Sequence, residues 1–97
     1  MIRTTTPTHV FQLNEPLSFE AIQLTYKQEG DIILVKTEDD CTIDGNTISV
    51  TLTQEETKKF SAGIAYAQIK AIDNSGNVIA TNPVAIHVQE VLNEVLL

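Results

Sequence analysis

Along most of the chain apolar and polar residues alternate with a period of two, the pattern of strands that have one buried and one wet face. From Thr47 to Thr53, Ile48, Val50 and Leu52 alternate with Thr47, Ser49, Thr51 and Thr53. Just before them, Asp44-Gly45-Asn46 is a tight-turn sequence, because Gly and Asn tolerate the positive φ that hairpin turns require. Cys41 to Ile43 therefore reads as the preceding strand of a hairpin. Upstream, Ile22, Leu24 and Tyr26 alternate with Gln23, Thr25 and Lys27. After Glu29-Gly30-Asp31, the run Ile32-Ile33-Leu34-Val35 is apolar on both faces and reads as a central strand or one covered on both sides. Downstream, Ile64 to Ile72 forms one long strand, Asp73 to Asn77 a turn, and Val78 to Thr81 and Val84 to Val88 the return. Pro83 separates the last two, since proline cannot donate to a sheet ladder.

Two segments depart from this period. Thr53-Gln54-Glu55-Glu56 fits a capping box, in which a threonine oxygen and a glutamate carboxylate satisfy unpaired backbone amides. It predicts a short helix to about Phe60, whose ring plugs one end of the core, with Gly63 turning the chain into the long strand. Residues 16–20 read as a second, weaker helical turn. At the C-terminus Val88, Val91, Leu92, Val95 and Leu96 form one stripe of an amphipathic helix, with Glu90 and Glu94 on another face. That stripe either closes its own sandwich or docks on another chain.

Such short strands, with one helical turn crossing between them, predict a mostly β domain: an immunoglobulin-like β-sandwich of about seven strands with one short crossover helix and a C-terminal helix. With no Trp and only one Cys, the antibody-type core is excluded. A small open barrel is the alternative. The expected divisions are a flexible N-terminal segment over 1–7, the sandwich over 8–88 and an amphipathic segment over 89–97.

Composition narrows the function. A chain of 97 residues holds one domain with a thin stability margin, which favours assembly. Its net charge of −7 and six scattered basic residues argue against nucleic acid and anionic membrane as partners. The N-terminus lacks the apolar stretch of a secretory signal, and no run approaches the roughly 20 apolar residues that cross a bilayer, so cytoplasmic synthesis and a soluble product are expected.

Little in the sequence points to chemistry. His9 and His87 lie far apart in different strands and form no metal-ligand spacing. Gly30, Gly45, Gly63 and Gly76 are isolated turn residues rather than a phosphate-cradling loop. A nucleophilic Cys41 would need His9 or His87 to converge on it. Glu38-Asp39-Asp40 with Asp44 could gather carboxylates for calcium, but lacks the regular ligand spacing of a calcium loop. An enzyme, a metal and a cofactor are therefore not expected.

The ordered set Leu24-Thr25-Tyr26-Lys27-Gln28 with Gly30, Val35-Lys36, Ile48 to Thr57 with Phe60, and Gln68-Ile69-Lys70 with Gly76 resembles small β-sandwich proteins of Gram-positive phages and prophages. It is similar to the N-terminal domain of siphophage upper baseplate proteins over residues 8 to 88. Its most specific element is the strand followed by Leu-Thr-Gln-Glu-Glu-Thr and a phenylalanine. Baseplate proteins of this kind carry a long further region that reaches the receptor-binding protein, and the resemblance does not extend to it. The resemblance implies a non-enzymatic structural protein incorporated into a virion, with other virion proteins or copies of itself as partners. The expected contacts are Val91, Leu92, Val95 and Leu96, with Phe60 or Tyr66 as aromatic anchors. The alternative is a ligand-binding or adhesion module that recognises a cell-surface glycan.

Overall fold

The computed structural model of the chain describes residues 1–13 and 19–97. Its strands are β1 (Thr8–Gln12), β2 (Phe19–Gln28), β3 (Asp31–Thr37), β4 (Cys41–Asp44), β5 (Thr47–Thr51), β6 (Gly63–Asp73), β7 (Val78–Ala80) and β8 (Val84–Val88). A 3-10 turn at Glu38–Asp40 links β3 to β4, and a helix, α1 (Gln54–Lys58), links β5 to β6. The strands form two antiparallel sheets, one ordered β1-β5-β4 and the other β3-β2-β6, with both β7 and β8 on the far side of β6.

Both sheets contribute to one core. Ile22, Leu24 and Tyr26 from β2, Ile48 and Val50 from β5, and Ala65, Ala67, Ile69 and Ala71 from β6 are buried together with Leu52, Phe60 and Val88. The alternation read from the sequence thus assigns the inner face of β2 and β5 correctly, and β6 is the one long strand expected there. The alanines of β6 are small enough to let Tyr26 and Phe60 meet edge to face, with ring centroids 5.7 Å apart. The architecture is a sandwich-like pair of sheets, open along one side between β1 and β8.

Turns follow their residue chemistry. Gln28 faces Asp31 across a two-residue turn in which Glu29 and Gly30 both have positive φ, 53° and 84°, as a type I′ turn requires. Between Asp44 and Thr47, Gly45 takes the first central position at φ 61°, which a type II′ turn reserves for glycine. The predicted β4–β5 hairpin is present in that register.

Two expectations are corrected. The apolar run of β3 does not make it a central strand: β3 is an edge strand, and Ile32 and Val35 are exposed. The register shifts so that Tyr26 faces Leu34 while Lys27 faces Ile32, and Ile33 is the extra residue of a bulge. That bulge lets Ile33 and Leu34, adjacent in sequence, both pack on the core. The second correction is at the C-terminus, where no residue from 89 to 97 is helical. Of the helical turn expected at 16–20, residues 16–18 lie outside the described residues, while Phe19 and Glu20 begin β2.

Residues 1–7, read from the sequence as flexible, are tied to the sandwich. Ile2 pairs in parallel with Gln89, the Met1 ammonium donates to the His87 carbonyl at 2.8 Å, and the Arg3 amide donates to the Gln89 carbonyl at 3.0 Å. Among the described residues no helix is long and apolar enough to cross a membrane.

Candidate functional site

The capping box forms as read: the Glu56 amide donates to Thr53 Oγ1 at 3.1 Å, and the Thr53 amide donates to Glu56 Oε1 at 2.9 Å. Glu56 also pairs with Lys36 of β3 at 2.5 Å, so α1 is fastened to the sheet it crosses. Burial by itself would raise the Glu56 pKa, but the Lys36 ammonium and the Thr53 amide outweigh it and the carboxyl is held below its ordinary value. Thr57, fully buried, accepts from the Thr5 amide at 3.1 Å and donates to the Thr5 carbonyl at 3.0 Å, fixing the N-terminal segment. Buried Gln28 clamps the chain after α1: its amide nitrogen donates to the Ser61 carbonyl at 2.7 Å and its oxygen accepts from the Ser61 amide at 2.8 Å. These residues hold α1 as a structural crossover, and their hydrogen-bonding groups are used internally.

Among the described residues the titratable side chains do not assemble into a reaction centre. His9 Nδ1 and the Tyr26 hydroxyl share a hydrogen bond of 2.7 Å beneath β1. Desolvation, followed by the positive N-terminus, lowers the His9 pKa, and desolvation raises that of Tyr26, so both are neutral at pH 7. Cys41 is half-buried on β4, and burial followed by the Asp40 carboxylate pushes its thiol pKa up, away from thiolate character. His9 and Cys41 both face Val50 from opposite sides, so two strand spacings, roughly 10 Å, separate them, which is beyond proton-transfer reach. His87 is exposed on β8. The acidic turn is internally occupied: Glu38 accepts from the Ile22 amide at 3.1 Å and Asp40 from the Thr37 amide at 2.9 Å, and these bonds lower both pKa values. Among the described residues no three His, Cys, Asp or Glu side chains converge as metal ligands.

The residues expected at an interface separate into three places. Phe60 is 1% exposed beneath Tyr26, so it is a core residue and offers no surface to a partner. The terminal residues do not form one stripe: Val91 and Leu96 are half-buried, while Leu92 and Val95 are exposed. The segment is instead held as an irregular strap. The Leu97 backbone amide donates to Gln54 Oε1 at 2.7 Å, Gln54 Nε2 donates back to the Leu97 backbone oxygen at 3.2 Å, and Arg3 pairs with Glu94. Tyr66 is the anchor that remains outside, on the outer face of the five-stranded sheet.

Around Tyr66 the register builds a patch that sequence reasoning missed. Residues paired across strands share a face, so Ile32, Lys27, Tyr66 and Ala85 form one row across β3, β2, β6 and β8. Val35, Thr25 and Gln68 form the next row, and Ile64 lies two residues before Tyr66 on the same face. Ile32 is 64%, Val35 43%, Ile64 45% and Tyr66 50% exposed. The signal was present in the long strand, whose alternation Ile64, Tyr66, Gln68, Lys70 puts two large apolar residues on the face opposite the alanines.

No protein-family model matches the chain, and no curated protein or solved structure matches it either.

Proposed function

We propose that this chain is a non-enzymatic structural protein of a phage or prophage particle, a baseplate, tail or other virion-associated component that works through protein–protein contacts. The observation that carries the reading is the outer face of the five-stranded sheet, where Ile32 and Val35 of β3 and Ile64 and Tyr66 of β6 stand in solvent on either side of Lys27 and Thr25 of β2. Isolated exposed apolar residues need no explanation, whereas two apolar pairs on one sheet face, with Lys27 and Thr25 between them and Gln23, Gln68 and Lys70 alongside, have the mixed composition of a contact surface. Tyr66 supplies the amphipathic aromatic that such surfaces use as an anchor.

The immunoglobulin-like form of the sandwich is part of the same proposal. Its support is the strand order: β1-β5-β4 takes the places of strands B, E and D, and β3-β2-β6-β8 those of C′, C, F and G, with α1 at the E–F crossover. The resemblance to siphophage baseplate domains adds the virion as the setting. Tryptic mass spectrometry of purified particles from a lysogen encoding the chain tests the reading. Peptides of the chain at a fixed stoichiometry to the major tail proteins are expected, and their absence from the particles contradicts it. Retention on a cell-wall glycan array, with none on particles, would establish the adhesion module in its place.

A further inference from the structure

The sheets leave several strand edges open, and the chain protects all of the longer ones except one. β3 carries Asp31 and Lys36, is kinked by the bulge at Ile33 and runs into Glu38-Asp39-Asp40. β4 spans only Cys41–Asp44, between Asp40 and an aspartate of its own. β7 is three residues long, and the outer edge of β8 is engaged at His87 and Gln89 by Met1 and Arg3. Charge, bulges, shortness and coverage are the devices by which edges avoid pairing with other chains. β1, which follows Pro7, carries neither charge nor bulge, and its outer edge is uncovered among the described residues. From Thr4 to Leu13 no Asp, Glu, Lys or Arg occurs, and His9 is held neutral. Among the described residues β1 pairs with β5 alone.

The hydrogen bonds show which of its groups are free. Leu52 donates to the Pro7 carbonyl and Leu13 to that of Asn46, so the odd-numbered residues of the segment turn their amides and carbonyls toward β5. In an antiparallel ladder the alternate residues turn theirs away. Thr8, Val10 and Gln12 therefore present N–H and C=O groups at the open edge. Beside that edge a groove of about 470 Å³ runs between β1 and the β7–β8 side, walled by Phe11, Leu13, Ile69, Val84 and Ile86.

We infer that this edge is a homodimerisation strand, in which β1 of one copy pairs antiparallel with β1 of a second about a twofold axis through Val10. The sequence is self-complementary in that register: Val10 meets Val10, and Thr8 meets Gln12, each facing pair exchanging two backbone hydrogen bonds. On the outer face the two exposed Val10 side chains cover each other. On the inner face His9 of one copy lies opposite Phe11 of the other, over the mouth of the groove. Electrostatics selects the same strand, because two copies of net charge −7 repel wherever acidic surfaces approach and can meet closely over an uncharged segment. This surface is distinct from the Tyr66 patch, and the inference does not depend on the virion reading.

The test is sedimentation equilibrium of the full chain together with amide exchange measured by NMR at low and high protein concentration. The expected result is a monomer–dimer equilibrium that strengthens as salt rises from about 0.01 M to 0.15 M, over which the screening length falls from about 30 to 8 Å. The amides of Thr8, Val10 and Gln12 should exchange fast in the dilute sample and slowly in the concentrated one, while those of His9 and Phe11 are protected in both. Val10→Pro deletes an outward N–H without touching the ladder to β5, and should weaken the dimer about tenfold or more. Should that variant fail to fold, Val10→Lys, which leaves the backbone intact and sets two like charges together, gives the same loss. A chain that stays monomeric at all concentrations overturns the inference. So does a dimer that survives both substitutions, or one that Tyr66→Glu abolishes instead.

Discussion

The two outer sheet faces arise from the same alternation and look unlike each other. On the three-stranded sheet, Thr8, Val10 and Gln12 of β1, Thr47, Ser49 and Thr51 of β5, and Thr42 and Asp44 of β4 share the outward face. Apart from Val10, every side chain there is a hydroxyl, amide or carboxylate that water satisfies. On the five-stranded sheet, Ile32, Val35, Ile64 and Tyr66 stand on the equivalent face among Gln23, Thr25, Lys27, Gln68 and Lys70. Alternation decides only which way a side chain points. What the pointed residue is made of tells whether water satisfies the face: on the three-stranded sheet it does for every side chain but Val10, and on the five-stranded sheet the exposed apolar residues are what the proposed contact face rests on.

The largest expected effect falls on what the faces share. Phe60→Ala empties the place beneath Tyr26 and should lower stability by about 3–5 kcal/mol, read as a shift in the urea midpoint, with both faces lost together. Thr57→Val strands the Thr5 amide without its acceptor and should remove about 1–3 kcal/mol by the same measurement. Thr53→Ala, which deletes half of the capping box, should remove about 1 kcal/mol. Substitutions on the outer faces themselves sharpen the contrast. Ile64→Thr with Tyr66→Ser, and Thr42→Val on the other sheet, should each leave the urea midpoint within about 0.5 kcal/mol of the parent. Only the first should lower binding of a hydrophobic dye to the native protein.

A pH series probes the contact between the two sheets, where His9 of β1 meets Tyr26 of β2. His9 has a lowered pKa in the folded chain, so the unfolded chain binds a proton more readily, and the stability due to neutral His9 is present above its unfolded value of about 6.5 and lost as pH falls below it. The carboxyls of Glu38, Asp40, Glu56 and Asp73 are lowered instead, so their contribution fades only below the ordinary carboxylate range. Stability measured between about pH 6.5 and 5 should therefore slope downward in the parent. In His9→Asn, which keeps a hydrogen-bonding atom near Tyr26, that slope should flatten.

Legibility in the sequence followed how local the determining interactions are. The helix at Thr53 was readable because Thr53 and Glu56 satisfy each other within one turn, and the β4–β5 hairpin because Gly45 supplies its own turn geometry. The terminal segment has a helical spacing of apolar residues but no cap. The segment is bonded elsewhere, with Leu97 on Gln54 and Glu94 on Arg3, while the Val95 amide takes the Asn93 side chain at 3.0 Å in place of a helical carbonyl, so tertiary and local side-chain contacts override the periodicity. β3 misled because a bulge puts adjacent residues on one face, which no period-two reading anticipates. Of the candidate contacts, Tyr66 could be placed from alternation alone. Ile32 and Val35 could not be placed on its face, since they share it only through the pairing of β3 with β2 and of β2 with β6.

The most direct test of the contact face compares incorporation of the parent chain and of a variant carrying Ile64→Glu and Tyr66→Glu into particles, counted by quantitative mass spectrometry, after the two show matching unfolding midpoints. The parent is expected in the particles at fixed stoichiometry and the folded variant only in the unassembled fraction. Equal incorporation of both would contradict the assignment of the five-stranded sheet's outer face as the surface through which this protein acts.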